Sequence, residues 1–488
     1  MTATLPEART TGFRWLDWLR RELAPSRERK ARTLILVCGA VLCVTISMAL
    51  QVPELSVSAY MIFFISKETK TVTTIVGVLG VIGITIGIAA SLLLYKLTYG
   101  HPELRVPSMA IFLFLGMYLS RVLTLGPLAL ILGFVIAATQ SIGDLLPSPE
   151  QVVRALLWLW VALVYAIGLT VVLNRLFLPP PSGPPKHLPK PKSMVVPDAF
   201  ANPAHVRFAL KVTLAAMFCY VLCCGFDWFG IHTSFITCIF IALESTGATL
   251  QKGVLRGVGC LIGGLLALIS IVFFIPRMET IASLAVLVAC VSAIAGWVAT
   301  GSERISYAGL QIAMAYYYAL FPGFNGFAPS TDLTNVRDRV VGILLGLMVM
   351  AFVFHYIWPE RAMDRLCDNL RLVLRQLAKL LAIPSPEIPM KETKPKVEAL
   401  IAEISRGLEQ ARRQAEPASF EMAEAGTGEG VSLGQLEATL SRVEHLLAAA
   451  TSLAKDSAWQ EWQQLRPKAQ QVENEVRSVI AKYENLRS

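Results

Sequence analysis

Apolar residues dominate two long stretches of the chain, and each stretch is divided into six runs by short polar segments. A helix needs about 20 apolar residues to cross a bilayer, and most of the runs approach that length. The pattern therefore predicts an all-α polytopic membrane protein with about twelve transmembrane helices. The predicted spans are 32–50, 54–66, 72–95, 107–120, 123–139 and 152–178, then 206–224, 230–243, 254–275, 280–299, 305–321 and 339–358.

The polar segments complete the predicted domain organisation. Residues 1–31 are a basic leader, and 179–203 form a Pro-rich linker that should be extended. Lys and Arg next to the spans fall mostly on the side of the N-terminus, which places both termini and the linker in the cytoplasm. From 359 to 488, apolar residues recur at helical spacing among charged ones, so we expect a cytoplasmic helical domain, with breaks near Pro384–Pro395 and Glu416–Gly430. The two sets of spans occupy 32–178 and 204–358.

Composition supports this class and excludes others. The chain is 54% hydrophobic and only 16% charged, against about 25% charged in soluble domains. The net charge of +9 reflects Lys and Arg beside the spans, so it does not indicate a nucleic-acid partner. The nine cysteines lie in or beside apolar runs and show no metal-ligand spacing. There is no Walker motif and no nucleophile–base signature, so we expect neither an enzyme nor a cofactor.

The two sets of spans align with each other, which indicates an internal repeat. The matched positions are Glu68 with Glu244, Gly77 with Gly253, Gly83 with Gly259 and Gly87 with Gly263, all 176 apart, and Arg121 with Arg304, Gly126 with Gly309 and Arg154 with Arg337, all 183 apart. Because each copy has six crossings, both copies have the same orientation, and a pseudo-two-fold axis should run along the membrane normal. Transporters of this kind bind substrate between the halves, and the short second span of each half points to the site.

Several motifs of the second set resemble the fusaric acid resistance / aromatic acid exporter family, and within it the multidrug-resistance branch. They are the Trp-Phe-Gly-Ile-His-Thr segment at 228–233, GVLRGVGCLIGG at 253–264, SERISYAGLQ at 302–311, RDRVVGILLG at 337–346 and WPE at 358–360. The resemblance implies an inner-membrane efflux protein that exports aromatic acids or amphipathic drugs, driven by the proton gradient. It also implies a periplasmic membrane-fusion adaptor and an outer-membrane channel as partners, and we expect a homo-oligomer. Family members often carry a cytosolic domain between the halves, whereas this chain has only the linker there.

Polar residues in or beside the apolar spans are the candidates for binding substrate or protons. The segment 244–256, named the hinge here, carries Glu244, Lys252 and Arg256. If the chain folds back there, Glu244 can meet Arg256, the carboxylate loading a proton and the arginine holding an aromatic carboxylate. Alternatively, Glu244 and Arg256 both lie in a wet cytoplasmic turn as topology signals or helix caps. Glu68 is the counterpart of Glu244 in the first set.

Further candidates lie at the ends of other spans, each with a structural alternative. Glu303 and Arg304 either act on substrate at the cytoplasmic end of their span or form a local ion pair. Arg337 and Arg339 either attract an acid leaving the protein or anchor the helix at the headgroups. His232 either relays protons or makes a helix-end hydrogen bond. The aromatic residues Tyr316–Tyr318 favour an interfacial belt over substrate stacking.

Three functions remain open from the sequence. The first is a proton-coupled exporter, favoured by the repeat and the hinge charges. The second is a passive organic-anion channel, since a basic hinge also suits anions. The third is a non-transporting membrane scaffold in which the C-terminal helices are the working part.

Overall fold

The structure is a computed structural model that describes residues 20–146, 148–180, 194–196, 198–243, 245–321, 328–382, 390–424, 433–456 and 465–487. The described residues form helices, with a single isolated bridge between Leu123 and Val195. The prediction of an all-α fold is thus confirmed. The first set of helices is α1 Arg27–Ala49, α2 Leu55–Ile65, α3 Lys70–Thr98, α4 Pro102–Val122, α5 Gly126–Gln140 and α6 Pro149–Phe177. The second set is α7 Pro203–Gly225, α8 Thr233–Ile241, α9 Thr246–Ile269, α10 Ile281–Ala299, α11 Glu303–Leu320 and α12 Thr334–Tyr356. The remaining helices are α13 Ala362–Ala382, α14 Met390–Glu424, α15 Leu433–Asp456 and α16 Leu465–Arg487.

Helix length and composition define a membrane protein. Among the described residues, nine helices are long and apolar enough to cross a bilayer. They belong to both sets: α1, α3, α4, α5, α6, α7, α9, α10 and α12, with α5 and α9 counted together with the turns that follow them. The second helix of each set is short, with 11 residues in α2 and 9 in α8. A short apolar helix is therefore present at the expected second position of both sets.

The first helix of each set ends in the same turn. Gln51 and Asp227 both have left-handed backbones, with φ of 53° and 50°. The amide of Val52 donates to the Ser47 carbonyl at 2.8 Å, and the amide of Trp228 donates to the Cys223 carbonyl at 3.0 Å. This 6→1 bond after a left-handed residue is the Schellman cap. All the positions in the second turn follow those in the first by 176 residues.

The third helix of each set begins with the same cap. The hydroxyl of Thr69 accepts from the Val72 amide, and the hydroxyl of Ser245 accepts from the Ala248 amide, both at 3.2 Å. In addition, the Lys67 amide donates to Thr73 Oγ1 at 2.9 Å. The corresponding bond, from the Leu243 amide to Thr249 Oγ1, measures 3.0 Å. These partners again lie 176 residues apart, so the two glycine-rich helices start in the same way.

The glycines of α3 and α9 bring equivalent helices together. A Cβ at Gly83 would lie 2.9 Å from Ile131 Cγ2 of α5, and a Cβ at Gly259 would lie 2.6 Å from the Ala308 carbonyl oxygen of α11. Close approach of this kind is what small residues permit in membrane helices. The pair Gly126 and Gly309, however, is wrong as an equivalence. Gly126 is the first residue of α5, whereas Gly309 is the seventh of α11.

The two sets meet along a surface that we call the seam. Helix α1 packs against α10, and α4 packs against α7. At the centre, Tyr60 of α2 stacks on Tyr318 of α11 with ring centroids 5.4 Å apart, and Phe134 of α5 contacts Phe240 of α8 at 5.0 Å. Exchanging the two sets turns the α1–α10 pair into α7–α4 and the α2–α11 pair into α8–α5, as expected for helix contacts made across a two-fold axis.

The chain divides into two compact units. One comprises Met1–Ala242 and Lys252–Val353, and the other comprises Leu243–Gln251 and Phe354–Ser488. The second unit contains α13–α16, whose apolar faces form their own core, including Leu366, Leu370 and Val373. The amphipathic helix predicted after Pro359 is confirmed as α13. The break predicted near Glu416–Gly430 begins later than its first residue, because α14 continues to Glu424.

One carboxylate links two helix starts within this second unit. Glu421 of α14 accepts from the Gly247 amide at 2.6 Å and from the Ala362 amide at 2.8 Å. These amides belong to the first turns of α9 and α13, whose N–H groups lack partners inside their own helices. Burial raises the pKa of Glu421, and the backbone donors act in the opposite direction.

Candidate functional site

Arg256 lies inside the protein, in the third turn of α9. Its exposed fraction is 0%. Its Nη1 donates to Gln311 Oε1 of α11 at 2.6 Å, and its Nε donates to Thr237 Oγ1 of α8 at 3.2 Å. The predicted fold-back at the hinge is wrong, because α9 runs without interruption from Thr246 to Ile269. The wet-turn alternative fails for Arg256 as well, since the side chain has no contact with solvent.

The Arg256 guanidinium is not fully paired. Within the part of the chain that the structure describes, its Nη2 has no hydrogen-bond partner. The guanidinium carbon lies 5.9 Å from the ring centre of Phe240, and Lys252 Nζ, one turn earlier on α9, lies 5.0 Å from the ring centre of Tyr307. Buried charges are normally paired because removing them from water is costly. A buried arginine with neutral partners and a free N–H is therefore equipped to bind an anion.

Arg339 is a second buried cation, near the start of α12. Its exposed fraction is 6%, and its guanidinium carbon lies 4.0 Å from the ring centre of Tyr318. Among the described residues, its Nε and Nη2 have no hydrogen-bond partner. Arg339 and Arg256 also repel each other electrostatically. The interpretation of Arg339 as a headgroup anchor is wrong, because its side chain points into the seam beside the Tyr60–Tyr318 pair.

Arg337 behaves differently although it is only two residues away. Its side chain is 59% exposed, and it pairs with Asp338 at 2.8 Å. Its guanidinium also lies 5.4 Å from the ring centre of Trp228. These contacts fit a residue at the protein surface.

The structure shows no contact between Arg256 and the remaining candidates that it describes. The Glu68 side chain is 75% exposed and lies 4.0 Å from Arg32. Glu303 is exposed at the start of α11, and Arg304 follows it, half-buried. His232 stacks on Phe235 with ring centroids 5.6 Å apart. Glu244 lies outside the described residues.

Tyr316 and Tyr317 of α11 are buried rather than interfacial. Tyr316 and Tyr317 are at most 1% exposed, and Tyr317 shares a 2.6 Å hydrogen bond with Ser292. The aromatic-belt interpretation of these residues is therefore wrong. They belong to the core beside the seam.

Sequence reasoning missed three residues of the site: Tyr60, Thr237 and Phe240. All of them lie in the short helices α2 and α8. The aromatic and hydroxyl side chains are too common in apolar spans to be distinguished by type.

A buried ion pair lies apart from these arginines. Arg105 of α4 pairs with Asp144 after α5, and the Tyr220 hydroxyl donates to the same carboxylate. This pairing gives Arg105 a structural partner. No three His, Cys, Asp or Glu side chains in the described ranges lie close enough together to hold a metal ion.

The fold and the buried polar residues define a polytopic helical membrane protein. Residues 205–487 match the Fusaric acid resistance protein family, and the chain belongs to this family. The resemblance found in the motifs is thereby confirmed.

Two relatives show how far the similarity reaches. Over 204 residues the chain is 39% identical to the Multidrug resistance protein MdtO of Shigella flexneri, covering 42% of this chain and 30% of that protein. The chain is also 38% identical over 204 residues to the Multidrug resistance protein MdtO of Escherichia coli strain K12. That match covers 42% of this chain and 29% of the relative. The matched stretch thus spans less than a third of these relatives' own length.

Proposed function

We propose that the chain is an efflux transporter subunit of the bacterial inner membrane that exports aromatic acids or amphipathic drugs. The observation that carries the proposal is the incompletely paired, fully buried Arg256 at the seam. Membership of the fusaric acid resistance family and the names of the MdtO relatives support the same function.

The architecture we infer is a parallel repeat of two six-helix sets, giving about twelve transmembrane helices. Its support is the recurrence of the Schellman turns and the helix caps 176 residues apart, together with the reciprocal contacts at the seam. Both termini, the linker and α13–α16 are then cytoplasmic, as the distribution of Lys and Arg indicates.

In this proposal the substrate carboxylate binds to Arg256 and Arg339. Phe240 and Tyr318 present ring faces beside these cations and supply an apolar surface for an aromatic substrate. An arginine that is already desolvated can bind a carboxylate without losing further water. Hydrogen bonds to charged groups contribute about 1.5–3 kcal/mol each.

Coupling to the proton gradient, a periplasmic adaptor, an outer-membrane channel and a homo-oligomeric state complete the proposal. They derive from the family resemblance. Glu244 stays a candidate for the proton site, and we predict that Glu244→Gln abolishes protection against exported compounds.

A passive anion channel is the second candidate, because two buried arginines suit any anion that crosses the seam. The purified full chain in a planar bilayer distinguishes the two functions. Discrete ohmic currents carried by organic anions without a proton gradient support the channel.

The decisive experiment measures resistance in a strain that lacks redundant pumps. We expect the full chain to raise the inhibitory concentrations of aromatic acids or amphipathic drugs, and Arg256→Gln to remove this protection at equal expression. Arg154→Gln is the matched control, since that side chain is 69% exposed and pairs with Glu150 on the surface of α6. Full protection by Arg256→Gln, or none by the wild-type chain across a broad panel, refutes the proposal.

A further inference from the structure

Lys67 follows the end of α2, and its ammonium faces an aromatic ring. Its Nζ lies 5.5 Å from the ring centre of Phe64. The neighbouring carboxylate, that of Glu68, is 75% exposed and lies 4.0 Å from Arg32 instead. Among the described residues, no carboxylate forms an ion pair with Lys67. A ring face attracts an ammonium without neutralising it, so the positive charge stays available to an anion.

The ring of Phe64 lies at the centre of the seam. It contacts the Phe240 ring of α8 with centroids 6.0 Å apart. Phe64 and Phe240 are 176 positions apart, which makes them equivalent residues of the two sets. Two equivalent residues contact each other on the axis that relates the two sets. The position equivalent to Lys67 holds Leu243, so the first set alone supplies a cation here.

A series of contacts connects Lys67 to Arg256. The Phe240 ring, which contacts Phe64, also lies 5.9 Å from the Arg256 guanidinium carbon. The series therefore runs from an ammonium through two rings, one from each set, to a guanidinium. All four side chains lie in the same compact unit of the chain.

The same face of α2 also leads to Arg339. Tyr60 and Phe64 are four residues apart and lie on one face of the helix. Tyr60 stacks on Tyr318 at 5.4 Å, and the Tyr318 ring lies 4.0 Å from the Arg339 guanidinium. Each cation along this face therefore lies beside an aromatic ring.

Exposure gives the cations of the series an order. Lys67 is half-buried, whereas Arg256 has no exposed surface. An anion from solution can therefore contact Lys67 before it contacts Arg256. Exposed arginines elsewhere are already paired, since Arg154 and Arg337 each bind a carboxylate at 2.8 Å.

We propose that Lys67 is the entry subsite for an aromatic anion on its way to Arg256. This proposal rests on the function proposed above, in which Arg256 binds the substrate carboxylate. The carboxylate first binds the Lys67 ammonium while the substrate ring packs against Phe64. It then passes to the guanidinium as the substrate ring moves from Phe64 to Phe240. Because a ring lies beside each cation, an aromatic substrate keeps a stacking partner at both steps.

The test is stopped-flow fluorescence of the purified full chain with anthranilate, a fluorescent aromatic carboxylate. Lys67→Gln should slow both association and dissociation about tenfold, because the route loses a hydrogen bond to a charged group. The Kd should stay close to the wild-type value, since Arg256 still holds the bound ligand. Anthranilamide has nearly the same shape without the charge, and its rates should not change.

Lys70→Gln is the matched control, because Lys70 lies three positions later, is exposed and donates to the Arg175 carbonyl at 2.9 Å. It removes the same charge from the same end of α3 and should keep the wild-type rates. Lys67→Arg retains the charge and should also keep them, which shows that the position tolerates substitution.

Four outcomes would contradict the proposal. An unchanged association rate in Lys67→Gln overturns the entry subsite and leaves the proposed function intact. Equal slowing in Lys70→Gln, or equal slowing for anthranilamide, does the same. A wild-type chain that binds no anthranilate overturns both the entry subsite and the role of Arg256.

Discussion

Gln311→Glu isolates the charge of Arg256 from its packing. In the wild-type chain, Gln311 Oε1 accepts from Arg256 Nη1 at 2.6 Å. The substitution replaces a neutral amide with a carboxylate of nearly the same size. The guanidinium keeps its partner, but its positive charge is neutralised and attracts a second anion much less.

The expected magnitude follows from the bond that a substrate loses. A hydrogen bond to a charged group contributes about 1.5–3 kcal/mol. Since about 1.4 kcal/mol is a factor of ten in affinity, benzoate should bind roughly 10- to 150-fold more weakly to Gln311→Glu. Benzamide has almost the same shape without the charge, so its affinity should change little.

The assay is calorimetric titration of both ligands into the purified chain. Gln151→Glu is the control, because that residue is exposed at the start of α6. The melting temperature of Gln311→Glu should not decrease, since the carboxylate pairs with a buried cation. Unchanged benzoate affinity, or an equal loss for benzoate and benzamide, contradicts the role given to Arg256.

Two further predictions concern packing and the helix starts. Gly263→Ala should destabilise the protein by about 1–3 kcal/mol through overpacking, because a Cβ there would lie 2.5 Å from the Ile312 carbonyl oxygen. Thermal denaturation should show this loss of stability. Gly168→Ala has no atom within 4 Å of the new Cβ, so it should leave stability unchanged or slightly raised. Glu421→Ala should speed amide hydrogen exchange in the first turns of α9 and α13, whose N–H groups lose their acceptor, whereas Glu409→Ala, at a 65% exposed side chain, should not. Equal exchange in these two variants contradicts the capping role of Glu421.

Hydropathy predicted where the helices lie. In a bilayer, the backbone N–H and C=O groups of an apolar segment must hydrogen-bond to each other, and a helix allows this. The short runs 54–66 and 230–243 correspond to α2 and α8. The same pattern placed Lys252 and Arg256 in a hinge, because charged residues interrupt an apolar run. The structure continues the helix through them instead, since Gln311 and Thr237 supply partners for the arginine.

The identity of the site residues was only partly readable from the sequence. Arg256 and Arg339 were named as candidates, but Arg337 has the same residue type and lies on the surface. Burial depends on which side of a helix faces the other set, and hydropathy does not report that contact. Tyr60 was overlooked because its importance comes from its stacking on Tyr318 of α11, which is more than 250 positions away in the chain.

The short helices have an electrical consequence. At about 1.5 Å per residue, α2 is roughly 16 Å long and α8 roughly 14 Å, against a hydrocarbon thickness of ~30 Å. Where they meet, at Phe64 and Phe240, we expect the insulating layer to be thinner than along the longer helices. We expect most of the membrane voltage to fall over this short distance. A potential of 100 mV is worth ~2.3 kcal/mol for each unit charge that crosses it, and an ion that passes this point should gain most of that energy. The rate of movement past the two phenylalanines should then depend on voltage far more than binding at either surface does.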